Sequence, residues 1–153
     1  MRAAVIDSFS SKVGTASQFI EVPDVSQKRL TLSSIFLGGQ EREADRVFTA
    51  GAPLDYEYQI FNARMNGENR PDIEIETRIF RDGKEVYAGS PLALGKADFS
   101  DPVRVRAGGH MRLASQLAAG DYVLQVIVTD KLADPKNRVA TQWIDFEVAP
   151  HRD

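Results

Sequence analysis

Residues 117–130 read LAAGDYVLQVIVTD, and from Asp121 onward their polarity alternates with a period of two. Successive side chains of an extended strand point to opposite faces, so Tyr122, Leu124, Val126 and Val128 share one face. The approach to this strand is as informative as the strand itself. Leu117 is followed by Gly120 and then by Tyr122. In immunoglobulin-like sandwiches a tyrosine in this setting tucks its ring under a corner and bonds back to an upstream backbone group. Tyr122 is read as such a structural corner. The plainer alternative is a half-buried strand aromatic.

The same alternation recurs outward from this stretch. Leu54, Tyr56, Tyr58 and Ile60 form an inward set in LDYEYQIFN, as do Ile73, Ile75, Thr77 and Ile79 in DIEIETRIF, and Ile144, Phe146 and Val148 in QWIDFEV. Each predicts a half-buried antiparallel strand. Shorter candidate strands are RLTLSSIFL, VRVRA and HMRLA. Asp82-Gly83 suits the positive-φ positions of a tight hairpin and predicts Ile79 opposite Val86. Gly38-Gly39 and Gly108-Gly109 read as two further breaks, and prolines such as Pro53, Pro71 and Pro135 flank the strands. No segment carries a sustained helical stripe. From Arg29 onward about seven strands are expected, the spacing of an all-β sandwich. The predicted fold is therefore an immunoglobulin-like or fibronectin-III-like antiparallel β-sandwich over residues 25–150.

The front of the chain echoes its end. KVGTASQFIEV (12–22) and RVATQWIDFEV (138–148) agree at four positions, pairing Val13 with Val139, Thr15 with Thr141, Glu21 with Glu147 and Val22 with Val148. Residues 1–24 are accordingly expected to be an extra N-terminal β-hairpin, the terminal hairpin of a truncated preceding sandwich module, with VPDVSQ as linker. The alternative is that two antiparallel hairpins look alike by composition. A lone hairpin is marginal in water and its edges invite pairing. Residues 1–22 should dock on the sandwich, pair with a second copy to give a homodimer, or stay disordered.

Composition narrows the function classes. The 153 residues are 42% hydrophobic and 27% charged, enough for a core and a soluble surface. A net charge of −3 is no footprint of a nucleic-acid binder or a polybasic anchor. No apolar run approaches the ~20 residues that would insert through a bilayer. The absence of cysteine excludes a disulfide scaffold, a thiol nucleophile and a Cys-ligated zinc site. MRAAVIDS shows none of the parts of a secretory signal peptide and reads as a strand already under way. Either the protein is cytoplasmic, or the chain is a piece of something longer.

GTASQFIEVPDVSQKRLTLSSIFL, followed downstream by LAAGDYVLQVIVTD and ATQWIDFEV, resembles the C-terminal β-sandwich region of the von Willebrand factor A-related proteins common in Acidobacteria. The resemblance covers most of the chain and rests on structural phrases, not catalytic ones. It implies an extracytoplasmic location, secreted or periplasmic, within a longer protein that carries a von Willebrand A-like domain upstream. Residues 7–11 read DSFSS, which departs from the Asp-x-Ser-x-Ser of that domain's metal site at Phe9. It lacks the strand–helix setting the motif needs and is not read as a metal site.

Catalytic chemistry finds no motif. The two histidines are His151, in the tail, and His110, read as a surface turn residue after Gly108-Gly109. Glu74 and Glu76 share a solvated strand face, where acids serve solubility. The loop acids of NGENRPD (66–72) and DKLADPKN (130–137) are interleaved with Lys or Arg, which weakens a calcium reading. No catalytic residue, cofactor or metal ligand is assigned. Candidate interaction residues are Trp143, Phe19 and Tyr87. Trp143 lies on the strand face opposite Ile144 and Phe146, and is expected to be covered by Tyr87 or by the leading hairpin. The function expected is a non-enzymatic spacer or protein-interaction module, its partner another protein or its own upstream domains. The alternative is a carbohydrate-binding module using exposed aromatics.

Overall fold

Alternating sequence becomes a two-sheet sandwich, with no helix among the described residues. The computed structural model describes residues 2–6, 13–17, 29–38, 46–94 and 104–150. Two strands lead, β1 (Arg2–Ile6) and β2 (Val13–Ser17). The sandwich follows as β3 (Thr31–Leu32), β4 (Phe36–Gly38), β5 (Val47–Phe48), β6 (Pro53–Phe61), β7 (Ile73–Arg81) and β8 (Lys84–Ala88). It ends with β9 (Leu92–Ala93), β10 (Arg104–Arg112), β11 (Gly120–Asp130) and β12 (Val139–Val148). Among the described residues ten strands therefore stand where about seven are expected, because the first candidate segment divides and two-residue strands join the margins.

The smaller sheet orders β10-β6-β3, with β4 also on β6. The larger orders β5-β12-β11-β7-β8, with β9 also on β7. All pairings are antiparallel except β5 with β12. The chain passes from the smaller sheet to the larger between β4 and β5, between β6 and β7, and again between β10 and β11. This is an immunoglobulin-like arrangement. The inward sets close the core: Leu54, Ile60, Val105, Leu124, Val126, Val128 and Val148 are fully buried. Burying each such aliphatic side chain contributes about 1.5–3 kcal/mol.

The extra N-terminal hairpin is present as β1 paired with β2, from Arg2↔Ser17 to Ile6↔Val13. It forms a two-stranded sheet of its own. The expected linker, the Asp7–Ser11 stretch and Phe19 lie outside the described residues.

Two glycine readings need correction. Gly108-Gly109 is no break: β10 runs unbroken from Arg104 to Arg112. Gly109 faces Tyr56 across the β6–β10 pair, and a Cβ there would lie 2.9 Å from ring atom Cε1 of Tyr56. The tyrosine ring covers the glycine and fills the place of its missing side chain. His110 is consequently a mid-strand residue and no turn residue. At the β7–β8 hairpin, Asp82 and Gly83 do take positive φ of 50° and 72°. Yet Ile79 pairs with Tyr87, not Val86, because a bulge inserts one residue between the Ile79 and Phe80 pairings.

Both ends of the sandwich are tied by buried polar groups. The Tyr122 hydroxyl donates to the Ala118 carbonyl at 2.7 Å, the upstream bond of a tyrosine corner. Arg81 lies over the Tyr122 ring, 5.4 Å from its centroid, and donates to the Ala119 carbonyl at 2.9 Å. At the other end Asp130 is fully buried. Its Oδ2 accepts the Arg64 N–H at 2.7 Å and its Oδ1 the Leu132 N–H at 2.9 Å, joining two loops. Asp130 thus leaves the loop-acid cluster, its carboxylate already engaged by backbone.

Candidate interaction surface

Trp143 sits in β12, where even-numbered residues turn inward and odd-numbered ones outward. Ile144, Phe146 and Val148 are buried, while Val139, Thr141, Trp143, Asp145 and Glu147 are exposed. Trp143 itself is 57% exposed. This corrects the expectation that it is covered. Tyr87 cannot shield it: the bulge pairs Tyr87 with Ile79, an inward position on the far margin strand, three strands from β12. Tyr87 is instead half-exposed, with its hydroxyl against Gly89.

The backbone of β12 alternates as well. The Asp130 N–H donates to the Arg138 carbonyl, so even-numbered residues exchange bonds with β11. The Glu147 and Ala149 N–H groups donate to Arg46 and Phe48, so odd-numbered residues point to the opposite margin. There β5 pairs only with Glu147 and Val148. Among the described residues no strand follows along Val139–Phe146, and the outward groups of Thr141, Trp143 and Asp145 line an open edge. Gln142 touches it: its side-chain Oε1 accepts the Trp143 N–H at 3.1 Å.

Around Trp143 the outer sheet face is mixed. Trp143 pairs with Gln125, which pairs with Arg78, and Val123 and Ile127 are half-buried on the same face. Asp121 stands directly opposite Glu147. With Arg46, Asp82 and Asp145 they line a shallow depression of about 530 Å³. Glu74 pairs with Lys131, and Glu76 with Arg78 at 2.7 Å. These carboxylates raise the pKa of both cations, chiefly through the hydrogen bond in each pair.

Elsewhere a groove of about 650 Å³ opens between the sheets, lined by Leu37, Arg46, Tyr56 and Ile144 among others. His110 pairs with Asp55 on the exposed outer face of the smaller sheet. In the core, the Tyr56 hydroxyl bonds Thr77 while that of Tyr58, also buried, has no partner among the described residues. Burial pushes both phenol pKa values up, and for Tyr58 the neighbouring Tyr56 adds to the effect. Among the described residues no group of three or more His, Asp or Glu side chains gathers to hold a metal ion.

No family model matches the chain, and no curated protein matches it. Solved structures do. A CARDB domain from Pyrococcus furiosus, crystallised in complex with di-metal ions, is similar over 81% of this chain and 97% of its own, at 13% identity and TM-score 0.43. A Niemann-Pick type C2 protein from Japanese carpenter ant is similar over 78% and 91%, at 10% identity and TM-score 0.46. A family 123 glycoside hydrolase from Clostridium perfringens is similar over 69% of this chain but 22% of its own, at 10% identity and TM-score 0.48. At these identities the likeness is one of fold and goes no further.

Proposed function

We propose that this chain is a non-enzymatic protein-interaction module that binds an extended segment along β12. The single observation carrying this reading is Trp143, exposed on a strand whose outward backbone groups meet no further strand among the described residues. Backbone pairing along such an edge supplies affinity, and side chains on alternate positions supply selectivity. Trp143 would be the anchor, since a large rigid aromatic contributes area at low entropic cost. The sequence phrases shared with the von Willebrand factor A-related proteins support placing this module within a larger secreted bacterial protein.

The test is a selection of peptides from a random display library on the immobilised protein. Binders should be lost with Trp143→Ala and Thr141→Pro and retained with Arg106→Ala on the other sheet. Binders indifferent to both β12 substitutions would contradict the proposal.

A carbohydrate-binding module is the second reading, favoured by the same exposed indole beside the polar Gln125, Thr141 and Asp145. Trp143 is the only tryptophan, so its fluorescence reports on stacking without interference. Quenching by a soluble polysaccharide that β12-directed peptides do not reverse would favour this reading over the first.

A further inference from the structure

The margins of the sandwich are not alike. β8 is exposed throughout, bulged at Val86 and led by Lys84-Glu85. β10 carries Arg104, Arg106 and Arg112 around its two glycines. β3 and β4 are only two and three residues long. Charge, bulges and brevity are the devices that discourage edge-to-edge pairing. Among the described residues β12 has none of them from Val139 to Ile144. VATQWI (139–144) contains no charge, proline or glycine, and Asp145 is the first charged residue. Such a segment, rich in β-formers and low in charge, pairs readily when its edge is free.

Resting on the interaction-module reading, we infer that the occupant of this edge is a second copy of the same strand, joined antiparallel about a two-fold axis at Trp143. The open stretch sets the axis. β5 blocks pairing from Glu147 onward, so the pairing is confined to Val139–Phe146 and its centre lies at Gln142 or Trp143. Outward bonding belongs to odd-numbered residues, and an axis at Trp143 makes this residue a hydrogen-bonded pair with its own twin. Thr141 then faces Asp145 of the second copy, and Asp145 faces Thr141. No like charges are opposed, and the hydroxyl has a carboxylate to bond. A two-fold interface requires this kind of self-complementarity. The two indoles come side by side on the outer face, and the Trp143 N–H exchanges the Gln142 side chain for a backbone carbonyl.

Sedimentation velocity across a wide concentration range tests the inference. The 16.9 kDa chain should double its mass reversibly. Thr141→Pro removes only an outward N–H, so the variant should keep its circular dichroism and remain monomeric. Thr141→Asp, which sets like charges opposite Asp145 of the second copy without touching the backbone, should do the same. Trp143→Ala should weaken dimerisation about tenfold or more, as loss of a central aromatic anchor does. Arg106→Ala should leave it unchanged. A wild-type protein that stays monomeric throughout overturns the inference, and so does dimerisation that survives both Thr141 variants. If the protein is monomeric while selected peptides still depend on Thr141 and Trp143, the second-copy inference falls and the interaction reading stands. If the peptides ignore β12 as well, both fall.

Discussion

The hydroxyl of Tyr56 lies 2.7 Å from Oγ1 of Thr77, and this bond crosses the core from the smaller sheet to the larger. Both residues are buried, so neither hydroxyl has water as an alternative partner. Tyr56→Phe should destabilise the fold by about 1–3 kcal/mol, the cost of leaving a buried hydroxyl unpaired. Adding Thr77→Val should return part of that loss, because no polar group then remains to be satisfied. Urea unfolding of the two single variants and the double variant checks the pair; strict additivity would contradict it.

Tyr58 predicts the opposite sign. Its hydroxyl is buried without a partner among the described residues, so Tyr58→Phe should be neutral or stabilising at neutral pH. The alkaline limb separates this further. A phenol whose folded pKa is raised stabilises the fold fully below its unfolded value, and loses that contribution as pH rises toward the folded value. Wild-type stability should therefore begin to fall above about pH 10, by up to about 1.4 kcal/mol per pH unit for each such phenol. Tyr58→Phe should fall less steeply. Identical slopes measured by urea unfolding would contradict the assignment.

Gly109 lies beneath the Tyr56 ring, where there is no room for a methyl group. Gly109→Ala should cost about 1–3 kcal/mol, the usual penalty of overpacking. In a Tyr56→Leu background the same substitution should cost much less, since the ring that collides with it is gone. An equal cost in both backgrounds would mean that the strain lies in the backbone of β10.

Asp130 holds two loop amides with its two carboxylate oxygens. Asp130→Asn keeps one acceptor and turns an N–H donor toward another N–H. The expected loss is about 1.5–3 kcal/mol, typical of hydrogen bonds to a charged group. Hydrogen exchange at Arg64 and Leu132 should accelerate more than exchange in β6 or β11. A uniform acceleration would count against a local tie.

What could be read in the sequence and what could not divide along physical lines. Period-two alternation exposed the inward faces of β6, β7, β11 and β12, because burial of one sheet face writes itself into every second residue. Tyr122 was legible for a similar reason: its corner is built from residues only four apart. The glycines of β10 misled because their role is set by Tyr56, on a strand about fifty residues earlier. Val86 carries no mark of a bulge, so the register at Tyr87 was hidden. Asp130 looked like a loop acid because its partner amide at Arg64 is 66 residues away. The open edge of β12 was hidden in the same way. Trp143 was recognisable as an outward residue, but whether anything covers it depends on which strand lies next door, and that is decided by tertiary packing.

Amide hydrogen exchange along β12 tests the open edge most directly. In dilute protein, Thr141 and Asp145 should exchange fast, while Gln142 and Ile144, whose amides bond β11, should be protected. Raising the protein concentration should slow Thr141 and Asp145 selectively. Uniform protection from Val139 to Phe146 in dilute solution would show the edge already filled, and would contradict the account.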